Sequence, residues 1–145
     1  MPVSKTEQIL RHLKTRLETI AGATVERNSA VPEKIPVAGL LILRDGTPGE
    51  PEQSLGGFGS TYCRQDAAIE IYVENGNDAA RDTAFDTLLQ EIGVVFGDDP
   101  TLGGLAFGMT FGRPEIDTEA VVGAPAIKAG TLIAAIAFEA DTALG

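Results

Sequence analysis

Residues 61–74 read TYCRQDAAIEIYVE, from Thr61 to Glu74. Ala67, Ile69, Ile71 and Val73 fall on one face of an extended chain, and Ala68, Glu70, Tyr72 and Glu74 fall on the other. That alternation predicts an antiparallel strand with one face on a core. Asn75-Gly76 closes it as a turn dipeptide. Asn77 or Asp78 then caps a helix predicted to run to about Phe96. Ala80, Ala84, Leu88 and Ile92 set its expected buried stripe, widened by Phe85, Leu89 and Val95. Asp78, Asp82, Asp86 and Glu91 set its wet face, with the early carboxylates favoured by the positive helix start.

Upstream, Ser4 and Glu7 have the spacing of a capping box. Ile9, Leu10, Leu13, Leu17 and Ile20 form one helical stripe, and Gly22 provides a stop, which predicts a helix over about 5–21. Thr24–Arg27 is a short strand signal, and Pro32 and Pro36 sit in a connection that no central strand tolerates. Gly39–Arg44 (GLLILR) reads as a strand apolar on both faces, so both faces need cover. Asp45–Gly59 carries five glycines and two prolines in fifteen residues and reads as a long loop, a natural place for partner contacts. Downstream, Ala106–Arg113 reads as a strand with Phe107, Met109 and Phe111 on one face. Glu115–Glu119 reads as a polar loop, and Ile127–Glu139 as a long strand with Leu132, Ala134, Ile136 and Phe138 on one face.

The expected fold is therefore α+β, in the order α-β-β-β-α-β-β. Two amphipathic helices pack one face of a mainly antiparallel, four- to five-stranded sheet. The other face stays partly apolar through Leu41, Leu43 and Ile133, and is left for the long loop or another subunit. A length of 145 residues suits one domain spanning 1–145. Apolar residues at 43% and charged residues at 22% are globular values and exclude a disordered chain. One cysteine, Cys63, excludes a disulfide scaffold. No apolar run is long enough to span a membrane, and the N-terminus lacks the apolar core of a secretory signal, so a cytosolic protein is expected.

Formal net charge is −10. Residues 1–34 hold six basic and four acidic residues, whereas residues 35–145 hold five basic and seventeen acidic ones. Such a balance opposes free-standing nucleic-acid binding and adhesion to anionic membranes. It permits assembly through complementary faces, although a solvated acidic surface that aids solubility is the favoured explanation.

Catalytic signals are sparse. His12 is the only histidine, sits on the first helix and reads as an exposed or boundary helix residue without a triad around it. Cys63 beside Arg64 would be a nucleophile only with a base to lower its pKa, and otherwise reads as a small buried residue. One His and one Cys make no zinc cluster, and Asp98-Asp99 lacks the surrounding spacing of a calcium loop. Gly56-Gly57-Phe58-Gly59 matches neither a P-loop nor a dinucleotide fingerprint. No catalytic residue, cofactor or metal is expected.

Several segments, taken in order, carry a resemblance. They are Gly39–Glu52 (GLLILRDGTPGEPE), Asp98–Leu105 (DDPTLGGL) and Pro125–Ala129 (PAIKA) opening the last strand. The Val25-Glu26-Arg27-Asn28 strand and the strand, Asn-Gly, Ala-rich helix unit add to them. In this layout the chain is similar over nearly its whole length to tail terminator (tail completion) proteins of siphophages, prophages and gene transfer agents. The resemblance implies an α/β sandwich that forms a hexameric ring on the head-proximal end of the tail tube. Such a ring stops tube polymerisation, docks the head–tail neck or connector, and lets DNA pass through its lumen. It implies a place in the virion tail, reached from the host cytoplasm during assembly, and no membrane partner. The alternatives are another neck or tube component, a small-ligand binding module, or a small transferase using Cys63. Expected interface residues are Pro48, Glu50, Leu55 and Phe58 of the long loop, with Arg44, Arg64 and Arg113 as cations in an acidic region.

Overall fold

A computed structural model describes residues 3–53, 60–119 and 127–145. Its elements in chain order are α1 (Lys5–Leu17), β1 (Thr24–Arg27), β2 (Leu40–Pro48), β3 (Glu52–Gln53), β4 (Thr61–Glu74), α2 (Asp78–Asp98), β5 (Gly108–Phe111), β6 (Glu115–Glu119) and β7 (Ile127–Ala140). They build one sheet along the path β1-β2-β4-β7-β5, with β3 added to β4 and β6 added to β7. The spine is the antiparallel pair β4 and β7, matched over their whole length from Thr61 opposite Ala140 to Glu74 opposite Ile127. Two helices on one sheet give the expected α+β class.

The sheet is mixed, however, because β1 runs parallel to β2. Parallel neighbours need a crossover, and residues 28–39 supply one without a helix. This connection also covers part of the second sheet face, where Ile35 packs with Leu40 and Ile42. Leu41 and Leu43 point instead into the helix-side core, correcting their expected place on the open face. Ile133 does lie open.

Glu115–Glu119, expected to be a loop, is strand β6. Its polar residues suit an edge strand, which needs one apolar neighbour and not two. The long loop also begins as strand: β2 runs to Pro48, with a register shift between Arg44 and Thr47, and β3 rejoins β4 at Tyr62 and Thr61. Gly46 turns at φ +78°, where a Cβ would stand 1.8 Å from the Asp66 carbonyl oxygen.

Ser4 caps α1 through its hydroxyl, which accepts from the Glu7 N–H at 3.1 Å. The helix ends at Leu17, earlier than expected, because Thr19 folds back: its hydroxyl donates to the Arg16 carbonyl at 2.6 Å. Ile20 still reaches the core beyond that turn. Ile9, Leu10, Leu13 and Leu17 are fully buried, each contributing roughly 1.5–3 kcal/mol on the usual transfer scale. Asn77 caps α2 by accepting from the Ala80 N–H. The buried stripe of α2 is Arg81, Phe85, Leu88, Ile92, Val95 and Phe96, while Ala80 and Ala84 are exposed. The stripe is thus turned by one residue from the alanine-led expectation. Arg81 fills the first turn, donating to Asp78 and the Asn75 carbonyl.

Arg27 on β1 ties α1 to the sheet, donating to both carboxylate oxygens of Glu7 at 2.7 and 2.8 Å and to Asp45 at 2.9 Å. The Arg27 bonds, opposed by partial burial and helped by Arg11, lower the Glu7 carboxyl from 4.5 to about 2. An unfolded Glu7 therefore takes up a proton at higher pH than the folded one. The stability from this pair is complete above pH 4.5 and is lost as pH falls toward 2. Arg27→Gln is expected to flatten the fall of melting temperature across that window; an acid limb as steep as the parent's contradicts the assignment.

Candidate subunit and partner interface

Both helices lie on one side of the sheet, which leaves the opposite side open apart from the patch under Ile35. By register, this open side carries Ala68, Glu70 and Tyr72 of β4 opposite Ile133, Thr131 and Ala129 of β7. This side is predominantly acidic in charge. Glu26, Asp66, Glu70, Glu74, Glu115, Asp117 and Glu139 stand on it against Arg44 and Arg64.

The expected interface residues separate into three places. Glu50 and Arg64 come together at one end of the sheet, and Pro48 beside them lies on the helix side. Pro48 pairs with Gln65, the Gly49 N–H donates to the Arg64 carbonyl at 2.7 Å, and Glu50 shares a shallow concavity with Tyr62, Cys63 and Arg64. Leu55 and Phe58 lie outside the described residues. Arg44 sits in the middle of the open side. It holds Glu70 through two contacts of 3.2 Å, and the Tyr72 hydroxyl donates to the same carboxylate at 2.8 Å. Burial would raise Glu70, but the Arg44 and Tyr72 hydrogen bonds keep it below the usual carboxylate range. Burial, reinforced by Glu70, pushes the Tyr72 phenol up to about 12. Arg64 pairs with Asp66 at 2.9 Å and is 60% exposed. Within the chain, then, both arginines bind their own carboxylates, the exposed pair being worth little.

Arg113 is remote from the others. It lines a concavity of about 480 Å³ between α2 and the β5–β6 edge, together with Phe111, Ile116 and Lys128. Phe111 is 46% and Ile116 50% exposed there. These apolar residues escaped the sequence reading of sites, although the AFGMTFGR pattern held the signal for Phe111. A second exposed pair also escaped it: Tyr62 stacks on Phe107 with ring centres 5.2 Å apart. Of the eleven lysines and arginines, eight are ion-paired within the chain; Lys5, Lys34 and Arg113 have no ion-pair partner among the described residues. Three such scattered cations make no track for a phosphate backbone.

His12 and Cys63, the two side chains weighed for catalysis, each have local partners. His12 Nε2 lies 2.6 Å from Asp99, whose other oxygen accepts from the Gly103 N–H at 2.8 Å. The His12 bond, then that N–H, lowers the Asp99 carboxyl. Among the described residues no serine, threonine or cysteine hydrogen-bonds this imidazole. The pair fastens α1 to the turn after α2. Cys63 Sγ approaches only carbonyl oxygens, those of Thr61 and Thr142, and burial pushes its thiol up, away from a reactive thiolate. Among the described residues no group of three or more metal-ligating side chains converges, and no helix is long and apolar enough to cross a membrane.

Compared with known proteins, the chain matches no family model and no curated sequence.

Proposed function

We propose that this chain is a structural assembly protein that acts as a tail terminator. It forms a homo-hexameric ring on the head-proximal end of a tail tube, stops tube polymerisation and presents a docking surface to a head–tail neck protein. The observation that carries this reading is the bare side of the sheet. Two helices are both spent on one face, and the other presents an acidic wall that, among the described residues, only the 28–39 connection covers in part. A clear excess of carboxylates over two internally paired arginines suits a channel wall past which DNA slides without being held. The resemblance in segment order supports the same reading, and the His12 and Cys63 environments favour it over a transferase. In this reading the protein works in the virion tail, is made in the host cytoplasm, and needs no cofactor.

The test is addition of the purified chain to elongating tail tubes, followed by electron microscopy. Tubes of the element that carries this gene should stop growing and bear a cap at one end. Incorporation along the tube, with growth continuing, would make the chain a tube subunit instead and end the terminator reading.

A further inference from the structure

Two aromatic rings stand in water at the Ala140 end of the open side. Tyr62 of β4 is 46% exposed and Phe107, just before β5, is 53% exposed. Their rings lie 5.2 Å apart and 28° from parallel. β7 runs between the two strands, and the Phe107 N–H donates to the Ala137 carbonyl at 2.8 Å. The rings therefore meet above β7, where Ala137 carries only a methyl group. Half-exposed aromatic side chains of this kind are what anchors a protein partner.

Carboxylates flank the pair. By register, Glu52, Tyr62 and Glu139 form one row across the open side. Glu50 and Glu52 share a shallow concavity with Tyr62 on one flank of the rings. Glu139 and Asp141 share another with Phe107 on the other flank, where Lys5 is the opposing cation. None of these four carboxylates has an ion-pair partner among the described residues. Arg64, beside Glu50, is taken by Asp66.

The combination of rings and acids selects the occupant. Exposed rings alone would also stack nucleobases, but unpaired carboxylates on both flanks repel a phosphate backbone. A second copy of this chain brings few cations, because eight of its eleven lysines and arginines are already ion-paired. A guanidinium suits every feature: it is planar, stacks on an aromatic face and donates to carboxylates from its rim.

We propose that the Tyr62–Phe107 pair is the docking point for an arginine-bearing segment of a partner protein. An arginine of that segment lies on the exposed rings. Glu52 and Glu139, one strand to either side of Tyr62, accept from its N–H groups. The inference rests on the terminator reading only for the source of the segment, a tail or neck protein; the surface itself needs neither ring nor tube.

The probe is a dye-labelled, blocked Gly-Arg-Gly-Arg-Gly peptide, titrated with the full chain at low salt and followed by fluorescence anisotropy. Saturable binding is expected. Phe107→Leu, which changes no charge, and Glu139→Gln should each weaken it roughly two- to fivefold. Glu115→Gln, an acid of the open side remote from the rings, should leave it unchanged, and the lysine version of the peptide should bind more weakly than the arginine one. Losses from Glu115→Gln with none from Phe107→Leu would mean diffuse attraction to an acidic chain and overturn the site. Absence of saturable binding overturns it too. Binding of labelled oligothymidylate that Phe107→Leu weakens would make the rings a platform for bases and end the proposal. Failure of the chain to cap tubes, with peptide binding intact, would remove the terminator reading and leave this surface standing.

Discussion

Phe85→Ala is expected to lower stability by about 3–5 kcal/mol, the cost of emptying a buried aromatic site. Phe85 is 1% exposed, and it is where α2 meets the sheet most closely. A Cβ on Gly130 would stand 2.6 Å from its ring tip, so β7 carries a glycine there to admit the ring. Lys128 Nζ lies 5.0 Å from the ring centre, so the truncation also removes a cation–π contact. Thermal unfolding measured by circular dichroism should show the melting point falling by roughly 10 °C at this chain length. A fall of one or two degrees would mean that α2 is not anchored through this residue.

Gly46→Ala is expected to cost about 3 kcal/mol, although it adds a single methyl group. The backbone there has φ +78°, and the added carbon would fall 1.8 Å from the Asp66 carbonyl oxygen and 3.0 Å from the Ala67 Cα. No flexible side chain is available to give way, since the obstacle is the neighbouring strand's backbone. Relief requires β2 to part from β4 beyond Arg44, which also loosens the Asp45 carbonyl that accepts from Gln65 at 2.6 Å. Hydrogen exchange should locate the damage: faster exchange at residues 46–53 and 61–66, with the Ile69–Val73 half of β4 protected. Uniform protection in the variant would contradict the register assigned to this end of the sheet.

The elements easiest to read were those whose partners impose a simple period. The alternation at Thr61–Glu74 sorted Ala67, Ile69, Ile71 and Val73 to the core and Ala68, Glu70, Tyr72 and Glu74 to the other side, as in the structure. The α1 stripe is equally direct, because all five of its apolar residues are buried. β6 was illegible for a physical reason: Glu115 and Asp117 face solvent, and the strand exists only because β7, distant in sequence, offers it a ladder. The direction of β1 is likewise a property of the 28–39 connection and not of the four residues TVER. On α2, counting from alanines misplaced the stripe because Arg81, a cation, takes a buried position through Asp78 and Asn75. Of the interface residues, Arg44 and Arg64 could be picked out as scarce cations. Their partners Glu70 and Asp66 emerge only from the strand register and the fold. The β5–β6 edge is invisible as a surface in the sequence because Phe111 and Ile116 look like ordinary strand residues until the fold leaves both about half exposed beside α2.

Closed self-assembly is the central claim, and mass in solution tests it most directly. Light scattering coupled to size exclusion should find a saturating species near six chains, about 91 kDa from the 15.1 kDa subunit, that does not grow further with concentration. A tight dimer, or a monomer that persists even when tube ends are supplied, would contradict the account.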